Sequence, residues 1–90
     1  MSYQEEEEIS VLERKEAVPQ IVLYNDDVNT FEFVIDSLVE VCEHNLLQAE
    51  QCTYLVHYNG KCSVKQGEFD KLEPICRALL DRGLSARIEN

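Results

Sequence analysis

The stretch VPQIVLYNDDVNTFEFVIDSLVEVC, Val18 to Cys42, changes its hydrophobic period once. Up to Tyr24 it is β-branched and aromatic, with a proline near its start, where a strand tolerates the missing N–H. From Phe31 onward, Phe31, Val34, Ile35, Leu38, Val41 and Cys42 recur at helical spacing and make one apolar stripe. Between them lies the polar turn Asn25-Asp26-Asp27-Val28-Asn29-Thr30, in which Asn29 and Glu32 have capping-box spacing and Thr30 competes as the cap. A strand over Val18–Tyr24 is therefore expected to run through this turn into a helix that ends near His44-Asn45.

A second helix is expected at once. Ala49, Cys52, Thr53 and Val56 share one face, His57 extends it, and Asn59-Gly60 supplies a left-handed stop. Lys61 to Gln66 (KCSVKQ) is short and alternating, which predicts a second strand broken by Gly67. Leu72, Ile75, Cys76, Leu79 and Leu80 carry a third helix, with Asp70 as its expected cap and Glu73 three residues on. Pro74 should keep the start of that helix late, because a proline past the first turn loses a donor and collides with the turn before it. Gly83 closes the helix and Leu84 to Ile88 makes a last strand. The order β-α-α-β-α-β predicts an α/β (α+β) single small domain: a three-stranded antiparallel sheet with three helices on one face.

Upstream, Met1 to Ala17 contains the run Glu5 to Glu8, few apolar residues and no period. Residues 1–17 are expected to form a disordered acidic arm, either a solubilising tail or a docking segment, and residues 18–90 the folded domain. Ninety residues allow one domain and one substrate-sized surface pocket more readily than a deep active site. Eighteen acidic against eight basic side chains give a formal charge of −10, which opposes the counterion release that drives binding to nucleic acids and anionic membranes. Cationic ligands and basic protein surfaces fit better. Cys42, Cys52, Cys62 and Cys76 make no C-x-x-C pair, and three fall in apolar helical segments. They are expected to be reduced core residues. The start MSYQEEEE lacks the pattern of a signal peptide, and no segment approaches the roughly eighteen apolar residues of a membrane span. A soluble, cytoplasmic monomer is the expectation.

The adjacent carboxylates of Asp26 and Asp27 repel each other and need solvation or a partner. The simplest reading has Asp27 and Asn29 satisfying free backbone donors at the helix start, where the dipole also favours negative charge. A calcium loop is a rival, with Asn25, Asp27 and Asn29 at positions one, three and five and Asp36 twelfth. It has Thr30 where the sharp turn wants glycine, aspartate where a bidentate glutamate is usual, and an uncharged first ligand. No metal or other cofactor is expected. A small metal-dependent or cysteine hydrolase using Asp26, Asp27 and His57 is the alternative from another functional class. No cysteine, however, sits in a glycine-flanked helix start that would activate its thiolate. The residues alone leave His57, beside Tyr54 and Tyr58, open between a structural and a site role.

NDDVNTFEFVIDSL (Asn25 to Leu38), followed by QAEQCTYLVHYNGKC (Gln48 to Cys62), resembles the ClpS family of adaptor proteins for Clp proteases. The likeness runs from about Val18 to Asn90. It rests on an NDD turn entering an EFV helix, with a VH-x-x-GK segment further on.

The resemblance implies the same element order and a function without catalytic residues. Members bind proteins whose first residue is Leu, Phe, Tyr or Trp, and hand them to a Clp unfoldase. Carried over position by position, Asn25, Asp26 and His57 would contact the α-amino group of such an N-degron substrate. Asp27, Asn29, Phe31, Val34, Thr53, Val56 and Leu84 would surround its first side chain. Glu68 matches an acidic position for docking on the N-terminal domain of a Clp AAA+ unfoldase, of ClpA or ClpC type. The chemistry agrees with the carry-over, since an α-ammonium has three donors and no acceptor, while an asparagine carbonyl, a carboxylate and a neutral imidazole are acceptors. The chain departs from the common family pattern at Asn29-Thr30-Phe31, where Thr-Pro-Met is usual, and at Thr53, where methionine is usual. The region Lys61 to Gly83 is also shorter. Phe31 should narrow the pocket mouth, and Thr53 should shorten the wall opposite.

Overall fold

The computed structural model describes residues 18–90, so the expected acidic arm at 1–17 lies outside the described residues. Six elements follow the expected order: β1 (Gln20–Tyr24), α1 (Phe31–Cys42), α2 (Leu46–Asn59), β2 (Lys61–Gln66), α3 (Phe69–Asp81) and β3 (Ser85–Glu89). The sheet is antiparallel with β1 in the centre, in the order β2-β1-β3.

Alternation along β1 separates two faces. Ile21 and Leu23 enter one core with Val64 and Ala86 of the neighbouring strands, Val34, Leu38 and Cys42 of α1, Ala49 and Val56 of α2, and Leu72, Cys76 and Leu79 of α3. All three helices therefore cover the same face. On the other face Tyr24 donates its hydroxyl proton to Glu89, Arg87 stacks 5.5 Å above the Tyr24 ring, and Val22 lies in register between Ser63 and Arg87. The β1–β2 register slips between Ile21 and Val22, and Val64 is the extra residue. Its carbonyl accepts from Nε2 of the buried His44 at 2.7 Å, which ties the α1–α2 connection to the bulge.

Several local expectations need correction. Thr30, not Asn29, caps α1, its hydroxyl accepting from the Phe33 N–H at 3.1 Å. The helix stops at Cys42, sooner than expected, because Glu43 turns into the left-handed region at φ 62° and sends its N–H back to Leu38. Asn45 then caps α2 through Gln48 N–H at 2.8 Å. Asp70 does not cap α3. That helix starts at Phe69, behind Glu68, whose side chain makes no capping bond, and it runs straight over Pro74. Burial of Leu72, Cys76 and Leu79 against the sheet outweighs a lost donor on the exposed side. The strand expected from Val18 begins at Gln20, with the Pro19 carbonyl accepting from Gly67 N–H. The last strand begins one residue late, because the Leu84 N–H is spent on the Leu79 carbonyl in closing α3.

Candidate functional site

The turn between β1 and α1 is built on Asp26. Its Oδ1 accepts from the backbone N–H of Val28 and of Asn29, both at 2.9 Å, and its Oδ2 accepts from Asn29 Nδ2, also at 2.9 Å. The simple reading that gave backbone donors to Asp27 and Asn29 is therefore replaced. Asp26 is the acceptor, and the Asn29 side chain is a donor. Partial burial pushes the Asp26 carboxyl up, but these bonds, from Asn29 N–H, Val28 N–H and then the Asn29 amide, outweigh it. They hold Asp26 below the usual carboxylate range.

Two long-range bonds fix the turn in space. The Asn25 N–H donates to the carbonyl of Gly60 at 2.9 Å, and Gly60, at φ 94°, is the left-handed cap of α2. Asn29 Nδ2 donates a second bond, to the Gly83 carbonyl at 3.0 Å, in the turn that leaves α3. The turn is therefore held against the ends of two helices. His57, one turn before the α2 cap, stands next to it as a result.

A cavity of about 340 Å³ opens between the turn, α1 and α2, lined by Asn25, Asp26, Asp27, Asn29, Phe31, Val34, Thr53, Val56 and His57. That size is within the usual range for a small-ligand pocket. All the expected site residues except Leu84 and Glu68 meet here. Leu84 lies beneath, in an adjoining recess of about 20 Å³ that shares Asn25, Asp26, Asn29, Val34 and Val56 with the larger cavity. Glu68 is elsewhere: it follows β2 at the end away from Tyr24–Asn25, roughly 15 to 20 Å along the strand.

The lining divides by chemistry. Asn25, Asp26, Asp27 and His57 supply polar groups, with two carboxylates and no lysine or arginine, while Phe31, Val34 and Val56 supply apolar surface. Thr53 is buried and its hydroxyl donates to the Ala49 carbonyl at 2.7 Å, so it adds no free donor to the wall. Phe31 is held edge-on by Tyr54 (centroids 5.8 Å apart, planes at 84°) and by His57 (5.5 Å, 79°). A carboxylate has about four acceptor positions, and the turn uses three of those on Asp26. One, on Oδ2, is left for a ligand.

A hydrolase is poorly served by the same geometry. No cysteine lines the cavity, and burial pushes the Cys42 thiol up to about 11 and the Cys62 thiol to about 12. Among the described residues, no three His, Cys, Asp or Glu side chains gather around a common metal position.

The model of the ClpS family, described as "ATP-dependent Clp protease adaptor protein ClpS", matches residues 14–87. The chain belongs to the ClpS family. Among its relatives are an ATP-dependent Clp protease adapter protein ClpS of Campylobacter jejuni, 42% identical over 41 residues, covering 46% of this chain and 43% of that protein. A protein of the same name from Sodalis glossinidius is 34% identical over 65 residues, covering 70% and 61%, and one from Pectobacterium carotovorum is 42% identical over 50 residues, covering 53% and 47%. The matches span about half the length of these relatives.

Within this ClpS-family fold, sequence reasoning missed Gly60 and Gly83, whose carbonyls anchor the turn, and Tyr54, which braces Phe31. Only the Asp26 turn had a local signal. Aspartate two and three residues ahead of free N–H groups is the ordinary pattern of an Asx turn.

Proposed function

We propose that the chain is an adaptor that binds polypeptides through a free, hydrophobic N-terminal residue (Leu, Phe, Tyr or Trp) and delivers them to a Clp protease. The supporting observation is that the 340 Å³ cavity brings together acceptor-bearing side chains, two carboxylates among them and no lysine or arginine, with the apolar Phe31, Val34 and Val56. An α-ammonium among these acceptors would donate to the Asn25 side-chain carbonyl, the open position on Asp26 Oδ2 and a ring nitrogen of His57. The first side chain would then point between Phe31, Val34 and Val56 toward the recess above Leu84.

Family membership and the relatives' names support a Clp partner. The exposed side chain of Glu68, free of a capping bond and remote from the cavity, is the docking position we assign for the N-terminal domain of a ClpA- or ClpC-type unfoldase. No helix among the described residues is long and apolar enough to cross a membrane; the cytoplasmic site of action belongs to the same proposal and rests on the Clp partner.

The test compares two peptides beginning with leucine, one with a free and one with an acetylated amino group, by fluorescence anisotropy. Acetylation removes the charge and two donors, leaving acceptors unpaired at about 1 to 3 kcal/mol each. Tenfold or greater loss of affinity is expected. Equal affinities would overturn recognition of the amino group.

A further inference from the structure

A second depression, larger and more apolar than the first, lies along the outer side of the two-helix layer. It encloses about 620 Å³ and is lined by Phe31 and Ile35 of α1 and by Leu47, Glu50, Gln51, Tyr54 and Leu55 of α2. Leu47 is 63% exposed, Tyr54 56% and Leu55 45%, an unusual display of large apolar side chains on a chain of −10 formal charge. Two observations say what covers it. Phe31 belongs to both cavities, so the groove begins where the first cavity ends. The one charged side chain in its lining is Glu50, with neutral Gln51 beside it and no lysine or arginine, and Glu32 and Asp36 stand exposed nearby in sequence on the helix that supplies Phe31 and Ile35.

We infer that the groove between α1 and α2 receives the residues that follow the first residue of a bound polypeptide, and that it favours an apolar side chain accompanied by lysine or arginine. This deepens the function proposed above and rests on it. A chain whose amino group is held by Asn25, Asp26 and His57 and whose first side chain points inward leaves the cavity past Phe31. An extended chain advances about 3.3 Å per residue, so its next few residues lie over Tyr54 and Leu55. Apolar side chains there cover Leu47 and Leu55, and a cationic one meets Glu50 across a distance within the Debye length. The adaptor then discriminates among cargo with the same first residue. An unfolded, basic and apolar leader is accepted above a flexible polar one.

Two peptides test this, both beginning with leucine. In one, positions two to five are glycine and serine; in the other they hold leucine, phenylalanine and two lysines. We expect the second to bind about tenfold more tightly, and the ratio to fall to near one in Leu47→Ser/Leu55→Ser, whose two positions are exposed enough to spare the fold. Replacing the lysines by glutamate should remove part of the advantage at low salt and little of it at high salt. Equal affinity of the two peptides for the natural chain overturns the groove while leaving the first cavity's reading intact. Failure of both peptides to bind overturns both readings. A dimer that forms with increasing concentration in sedimentation experiments, and is dissolved by Leu47→Ser, assigns the groove to a second copy of the chain and also overturns the inference.

Discussion

The side-chain amide of Asn29 donates to the carbonyl of Gly83 at 3.0 Å, although the two residues are 54 positions apart. The same nitrogen donates to Asp26 Oδ2 at 2.9 Å, so one amide uses both its protons to join the β1–α1 turn to the end of α3. The carboxylate at the head of the cavity is thereby oriented from behind, and the floor at Leu84, one residue beyond Gly83, is held at a fixed distance from it.

Removing this amide should affect both stability and binding. Asn29→Ala loses two hydrogen bonds at about 0.5 to 1.5 kcal/mol each, the stronger to the Asp26 carboxylate. A fall in Tm of roughly 4 to 8 °C per kcal/mol is expected for a domain this small. Affinity for a leucine-initiated peptide should fall severalfold as Asp26 loses its orientation. An unchanged affinity alongside the lowered Tm would make Asn29 a purely structural clamp.

The pH dependence follows from Asp26. Its carboxyl lies below the usual range when folded, so its contribution to stability is present above an unfolded value near 3.8 and is lost as pH falls through the lower, folded value. Between pH 8 and pH 5 it remains a carboxylate. Binding is therefore expected to keep its Asp26 contact across that interval, and His57→Ala, which removes a ring nitrogen from the cavity wall, should weaken it severalfold at each pH within it. On the alkaline side binding should decline as the peptide's α-amino group, with a pKa of about 8, loses its proton. Calorimetric titrations of the natural and variant proteins across this interval decide the matter. An affinity unchanged in His57→Ala removes the imidazole from the site.

Phe31 should set the order among apolar first residues. Its ring is braced by Tyr54 and His57 at the cavity wall, so a methyl branch at Cβ of the ligand meets a surface with little room to move. Leu, Phe, Tyr and Trp should exceed Ile and Val by roughly ten- to hundredfold, out of the 1.5 to 3 kcal/mol that burial of such a side chain contributes. Phe31→Ala should admit Ile and Val while weakening Leu. Peptides identical except at the first residue measure this. A preference unchanged in Phe31→Ala would place the gate at another residue.

His44 supplies a test of the fold away from the cavity. It is 5% exposed, its Nε2 donates to the Val64 carbonyl at the β-bulge, and its Nδ1 is buried without a partner. His44→Phe leaves that carbonyl unpaired at about 1 to 3 kcal/mol, so the denaturation midpoint should drop while the ratio of free to acetylated peptide affinity stays the same. A variant as stable as the natural protein would show that the bulge does not depend on His44.

Hydrophobic period determined which segments of this chain became helix and strand, because period is a property of neighbours in sequence. Phe31, Val34 and Leu38 on one stripe and the alternation of KCSVKQ specified α1 and β2, and the element order specified one sheet covered on one side. The ends of elements were less legible. Thr30 displaced Asn29 as cap, and α3 ran across Pro74, because Asn29 had a better partner in Gly83 and α3 a buried face against the sheet. The resemblance to ClpS proteins had already gathered the candidate site residues as a list. What tertiary structure alone decided was their arrangement: that Asn29 reaches Gly83, that Asn25 is anchored to Gly60, that Leu84 lies in a recess beneath the cavity, and that Phe31 divides that cavity from an outer groove. Most of these relationships join residues tens of positions apart, and no local period or propensity encodes which distant carbonyl or side chain will face a given donor once the helices have packed.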